Sequence, residues 1–209
     1  GWKALRPGEE PGIARFLASL PQSGEHGRAF QYCSANTDVL AWILEEVTGL
    51  RFPELWSQRL WAPMGAEFDA LMTVDAHGFS LASGGGCVSL RDLARFGRLW
   101  LDGGVGPSGQ QVIPAEWIND VRVGGTPPPD RTAMGSVLPP TAGYRNQVWR
   151  SGDDDGCFFG WGIYGQYVWI NPVTDVVVAK QSTQRDASDD ATSRANLELL
   201  GRLSRAAVA

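Results

Sequence analysis

At 209 residues with 43% hydrophobic content, the chain is long enough to bury one good core. A net charge of −5 opposes nucleic acid or an anionic membrane surface as partner, and its scattered arginines read as solvated helix faces. No apolar run approaches the roughly 20 residues of a membrane span, and no charged-then-apolar leader opens the chain, so a soluble, cytoplasmic protein is expected.

In chain order, residues 1–10 are polar and irregular. Residues 11–20 predict a short helix with Ile13, Phe16, Leu17 and Leu20 on one side, and residues 22–27 a loop. From Phe30 to Gly49 the chain reads as an extended lead-in, a polar corner and a helix. Its apolar residues Val39, Leu40, Ile43, Leu44 and Val47 recur at the helical period. Asn36 or Thr37 can cap the first free N–H groups, Asp38 suits the positive end of the dipole, and Gly49 suits a left-handed stop. Burying the five apolar side chains is worth roughly 1.5–3 kcal/mol each, which makes this helix core and fixes where it starts. On position alone Tyr32 is a packing aromatic, but a tyrosine just ahead of a fixed helix is also held as a proton-transfer group must be.

A second helix is predicted over residues 53–61, with Pro53 at its first position. Residues 71–74 and 78–81 are short extended segments. Ser89 opens a further helix with Asp92 three residues on, an acidic capping box; Leu93, Phe96, Trp100 and Leu101 face inward and Gly103-Gly104 ends it. Residues 114–123 predict another helix. Residues 124–156, with Pro127-Pro128-Pro129 and Asp153-Asp154-Asp155, read as loop between a helical half (1–125) and a strand half (126–209). Strands are predicted over 161–170 and 176–181 about a turn at 171–175, then an amphipathic helix over 191–208 with Leu197, Leu200 and Leu203 toward a sheet. The expected class is α+β, an antiparallel sheet backed by helices plus a helical lobe. Cys33, Cys87 and Cys157, far apart and odd in number, predict reduced, buried thiols. His26 and His77 sit in separate glycine-containing loops, so neither a metal nor a cofactor is expected.

Three stretches carry a family resemblance. Tyr32-Cys33-Ser34, ahead of Asn36-Thr37 and an amphipathic helix, resembles the tyrosine motif of serine hydrolases with the penicillin-binding, class C β-lactamase-like fold. Leu60-Trp61-Ala62-Pro63-Met64-Gly65 resembles their Pro-Leu-Gly turn. Residues 82–97, from Ala82-Ser83-Gly84-Gly85-Gly86 to Phe96-Gly97, resemble their glycine-rich strand and capped helix, and Leu101-Asp102-Gly103-Gly104 their Gly-Gly exit. The motifs stand in the family's order and the similarity covers nearly all of the chain. Within the group it is closest to the amidases of linear 6-aminohexanoate oligomers.

The resemblance implies a Ser-x-x-Lys pair one helical turn apart. None is present: Lys3 has no residue three before it and Lys180 has Val177, and no Gly-x-Ser-x-Gly elbow replaces the pair. The chain is therefore expected to be the C-terminal portion of a hydrolase, inactive alone, whose partners are a small amide or ester substrate and an N-terminal segment carrying the nucleophile. As catalytic groups the resemblance implies Tyr32, sharing proton transfer with the absent lysine, and the Ile163 amide as an oxyanion donor. Trp2 and Ser83 correspond to cleft-lining positions. Ser34 is expected to hydrogen-bond within the site or to cap the helix. The family's Lys-Thr-Gly is replaced by Gly160-Trp161-Gly162, which weighs against β-lactam recognition and favours an amidase or esterase. Residues 160–165 also spell Gly-x-Gly-x-x-Gly, but strand-like sequence follows where a dinucleotide site needs a helix. A non-catalytic binding module of the same fold, or a sibling esterase or peptidase, are the alternatives.

Overall fold

Alternation along two adjacent strands places a core on each face of the sheet, and a third cluster gathers Trp61, Met64 and Leu99. Phe159, Tyr167 and Trp169 point one way, onto Leu200 and Trp149; Phe158, Val168 and Ile170 point the other, onto Trp100, Ile118 and Val121. These strands are the middle of a five-stranded antiparallel sheet whose order follows the sequence: β3 (Gly143–Arg145), β4 (Val148–Arg150), β5 (Phe158–Gly162), β6 (Gln166–Asn171) and β7 (Val176–Lys180). The computed structural model describes residues 12–22, 24–25, 30–124 and 137–207. Ahead of the sheet come helices α1 (Ile13–Ala18), α2 (Ser34–Thr48) and α3 (Phe52–Trp56), the last running into a π-helical turn, Ser57–Trp61. A two-stranded sheet pairs β1 (Leu71–Met72) with β2 (Gly86–Cys87); α4 (Leu90–Leu101) and α5 (Ala115–Val123) follow, and α6 (Asp190–Ala206) closes the chain.

Helix α4 lies directly on the sheet because it carries glycine at the contact. A Cβ at Gly97 would stand 2.6 Å from Val177 Cγ1 and 2.8 Å from Val168 Cγ2. Glycine inside a helix costs about 0.5–1 kcal/mol relative to alanine, a cost this close approach offsets. The start of α4 forms as its sequence predicts: Ser89 Oγ accepts from the Asp92 amide at 3.0 Å and donates to Asp92 Oδ2 at 2.8 Å. The fully buried Asp92 carboxylate also accepts from the Glu67 and Phe68 amides (2.7 and 3.1 Å) and from Arg95 (2.9 Å). Burial alone would raise this carboxyl, but the hydrogen bonds from Glu67, Ser89, Phe68 and Arg95 outweigh it and hold it below the usual carboxylate range.

Several expectations are corrected. Residues 124–156 are not all loop, since they contain the β3–β4 hairpin. Its two-residue turn, Asn146-Gln147, has both residues at positive φ (50° and 68°), the primed-turn geometry that suits twisted strands. Glutamine in place of the usual glycine hid that turn. The predicted strand over 161–170 is two strands, because Tyr164 (φ 59°) and Gly165 (φ 82°) reverse the chain in a short 3-10 turn, Ile163–Gly165. Helix α2 begins at Ser34 with no side-chain cap, so Asn36 and Thr37 lie inside it; Gly49 does end it in the left-handed region (φ 69°).

The largest correction concerns helix α2. Val39, Leu40, Ile43, Leu44 and Val47 are exposed, Val47 by 78%, while Asp38 and Ala41 face inward. Among the described residues nothing covers that apolar stripe. Leu203 is likewise exposed, and of the three free cysteines only Cys157 is buried.

Strand β7 has a partner only on its β6 side among the described residues, which leaves a β-branched edge at Val176–Val178. The chain is expected to self-associate as its concentration rises; a single concentration-independent monomer boundary in sedimentation velocity would refute this. Replacing Asp92 with alanine leaves two amides and the cap without their acceptor, and should lower the unfolding free energy by about 3 kcal/mol in urea titration.

Candidate active site

Residues 30–33 lead into α2 in extended form, and an aromatic cluster holds them. The Tyr32 ring stacks on Trp149 (5.8 Å, 23°) and meets Tyr144 edge-on at 5.8 Å, while Phe30 packs 5.1 Å from Tyr144. The β3–β4 hairpin that supplies Tyr144 and Trp149 is itself fixed to the helices. Asn146 donates to Asp120 Oδ2 (2.8 Å), and Gln147 Oε1 accepts from Thr37 Oγ1 (3.0 Å) and the Tyr144 hydroxyl (2.9 Å). Tyr32 is 42% exposed and its hydroxyl makes no hydrogen bond to a described residue. Its surroundings contain rings rather than cations, so burial pushes its phenol above the ordinary value; burial and the neighbouring Tyr32 do the same to Tyr144.

Tyr32 lines a cavity of about 880 Å³ whose walls include Phe16 and Leu17 of α1, Ser34 and Asp38 of α2, Ser83 in the glycine-rich segment, and Trp161, Gly162 and Ile163 where β5 ends. The sequence-predicted residues Tyr32, Ser34, Ser83 and Ile163 are thus brought together on one cavity. Trp2 lies outside the described residues. Ser34 is the first residue of α2, yet it neither caps the helix nor hydrogen-bonds to a described residue, so neither expected role is formed.

Two loops hold the sheet side of the cavity. The Tyr164 amide donates to Ala187 O (3.0 Å) and is therefore committed, which removes it as an oxyanion donor. Gln166 pins the turn, its side chain donating to Ser182 O (2.5 Å) and accepting from the Ser182 amide (3.0 Å). Strand β6 follows the turn directly, so the Gly-x-Gly-x-x-Gly segment lacks the helix a pyrophosphate requires.

Sequence reasoning missed two carboxylates. Asp38, read only as a dipole residue, is buried and accepts from both the amide and the hydroxyl of Ser83, at 2.8 and 3.1 Å. Its spacing of four from Ser34 placed both on one helix face, a signal open to inspection. Asp75 accepts from the amides of Ile13 (2.7 Å), His77 (2.9 Å) and Phe79 (2.8 Å), tying α1 across the cavity. Burial would raise the Asp75 carboxyl, but those hydrogen bonds outweigh it and hold it low. A third group, Asp153, Asp155 and Cys157, has its ligand atoms within 4.8 Å of one another. None of the three lines the cavity, and Asp155 is engaged by Asn171 (3.0 Å) and Arg205 (3.1 Å).

Comparison with known proteins supplies the wider frame. The profile of the family described as Beta-lactamase matches residues 2–202. The chain is 45% identical over 190 residues to the 6-aminohexanoate-dimer hydrolase of Paenarthrobacter ureafaciens, covering 89% of this chain and 47% of that protein. A Bacillus anthracis protein provisionally described as a 6-aminohexanoate-dimer hydrolase superposes with a TM-score of 0.77 at 28% identity, over 92% of this chain and 49% of its own. The octameric penicillin-binding protein homologue of Pyrococcus abyssi shares the fold, with a TM-score of 0.61 at 18% identity over 91% of this chain and 48% of that one. The chain thus spans about half the length of these relatives.

The raised Tyr32 phenol can be tested directly. In ultraviolet difference titration of the chain against a Tyr32→Phe variant, Tyr32 should ionise above pH 10, its model-compound value; a midpoint below that would mean a cation stands beside it.

Proposed function

The chain belongs to the Beta-lactamase family, and from that premise we propose that it forms part of a serine hydrolase that cleaves a small linear amide through an acyl-enzyme. The observation that carries this reading is the convergence of Tyr32, Ser83 and Ile163 on one apolar cavity, with the Tyr32 hydroxyl free to meet a reacting group. The sequence contains no Ser-x-x-Lys, so the nucleophile and its lysine come from another polypeptide segment, the N-terminal part of the same enzyme. The half-length match to the relatives and the uncovered apolar stripe of α2 support that division.

In this mechanism the incoming serine attacks the amide carbonyl while the lysine and Tyr32 take its proton. The developing oxyanion is met by backbone N–H groups, one of them at the Gly162–Ile163 end of the turn. Tyr32 then returns a proton to the leaving amine, and water releases the acid. The phenol of Tyr32 is raised here, so the lowering that proton transfer near neutral pH requires must come from the ammonium of the incoming lysine. The absence of Lys-Thr-Gly along β5, and of any lysine or arginine among the described cavity-lining residues, supports an amide or ester substrate over a β-lactam carboxylate. The resemblance to 6-aminohexanoate-dimer hydrolase points to a linear aminohexanoate dimer as first substrate to try.

In the full natural protein, Tyr32→Phe should cut hydrolysis of that dimer by about 10²-fold or more and leave the unfolding midpoint unchanged. Undiminished turnover would remove Tyr32 from the mechanism. A wild-type protein inert toward the dimer, a p-nitrophenyl ester and a D-amino-acid amide would favour a non-catalytic binding module.

A further inference from the structure

The cavity holds a polar device whose direction follows from its hydrogen bonds. Asp38 is 5% exposed, and its two carboxylate oxygens are taken by one residue, Oδ1 by the Ser83 amide (2.8 Å) and Oδ2 by the Ser83 hydroxyl (3.1 Å). The Ser83 hydroxyl is the donor to Asp38 Oδ2, so its single hydrogen is committed to Asp38. What Ser83 has left for anything in the cavity is a pair of acceptor lone pairs. The surroundings add no cation: the charged or titratable side chains lining the cavity among the described residues are Tyr32, Asp38, Asp75 and His77, with no lysine or arginine. Apolar residues such as Phe16, Leu81 and Trp161 form most of the remaining wall, with Ser34, Gln166 and Ser188 as its other polar side chains.

We propose that Asp38 is a positioning residue that locks the Ser83 hydroxyl as a hydrogen-bond acceptor, so that the cavity selects an aliphatic ligand presenting an N–H donor, an alkylammonium above all. This deepens the reading of the cavity as a substrate cleft and rests on it, but it concerns binding rather than turnover. Asparagine at position 38 keeps the shape and reverses the polarity. Its Oδ1 still accepts from the Ser83 amide, but its Nδ2 donates to Ser83 Oγ and turns the hydroxyl hydrogen toward the cavity.

The test is calorimetric titration of the full natural protein with n-hexylammonium and with 2-octanone, which is of similar length and can only accept. Wild type should bind hexylammonium at least about tenfold tighter than the ketone, the scale of one hydrogen bond to a charged group. Asp38→Asn should weaken hexylammonium by about tenfold and strengthen 2-octanone by a similar factor, and the added Ser83→Ala change should abolish that gain. Loss of ammonium binding with no gain for the ketone would reduce Asp38 to a bare charge and overturn the proposal. So would a gain that survives removal of the Ser83 hydroxyl. If the Asp38 variant does not fold, equal binding of the two ligands by wild type overturns it alone. Donor selectivity in a protein without amidase activity would uphold this inference and remove the hydrolase reading; amide turnover without selectivity would do the reverse.

Discussion

Trp149 touches both walls of the cavity, and the site depends on that double contact. Its ring stacks on Tyr32 at 5.8 Å on the helical side and meets Trp161 at 6.0 Å on the sheet side. A buried indole removes a large apolar area from water and prefers offset or edge geometries with its neighbours. Because the residue is in the short strand β4, the β3–β4 hairpin sets the separation between the tyrosine and the end of β5. Bonds reaching from its turn to Thr37 and Asp120 then fix the hairpin itself. Rigidity of this kind is what a proton-transfer group and a backbone donor need if they are to act on one carbonyl.

Helix α2 has two personalities that its hydropathy pattern does not separate. The inward face carries a buried carboxylate and an alanine; the outward face carries five large aliphatic side chains. Burying a carboxylate while exposing valine and isoleucine is the reverse of ordinary partition, and it holds here because Asp38 finds two donors on Ser83. An exposed apolar stripe of this size marks a surface meant to be covered. Under the proposed function, the covering segment is also the one that brings the nucleophile to Tyr32, so assembly and activation would be a single event.

Much of the fold was legible in the chain because it rests on short-range rules. The Ser89–Asp92 cap and the left-handed stop at Gly49 need only a few consecutive residues. The resemblance of the Tyr32 and Ser83 segments, likewise local, pointed to the residues that meet at the cavity. The β3–β4 hairpin was not legible, since Asn146-Gln147 reaches its primed geometry through bonds to residues far off in sequence. The split of β5 from β6 turned on Tyr164 adopting a positive φ, which a tyrosine does not advertise.

Most of the helices, the α+β class and the family membership follow from the amino-acid sequence, because periodicity, capping and motif order are properties of neighbours along a chain. Which face of α2 is buried, how the Ser83 hydroxyl is oriented and in which direction the Tyr32 phenol shifts were settled by packing. Each depends on groups separated by dozens of residues, and a helical period states that a stripe exists without stating what lies against it.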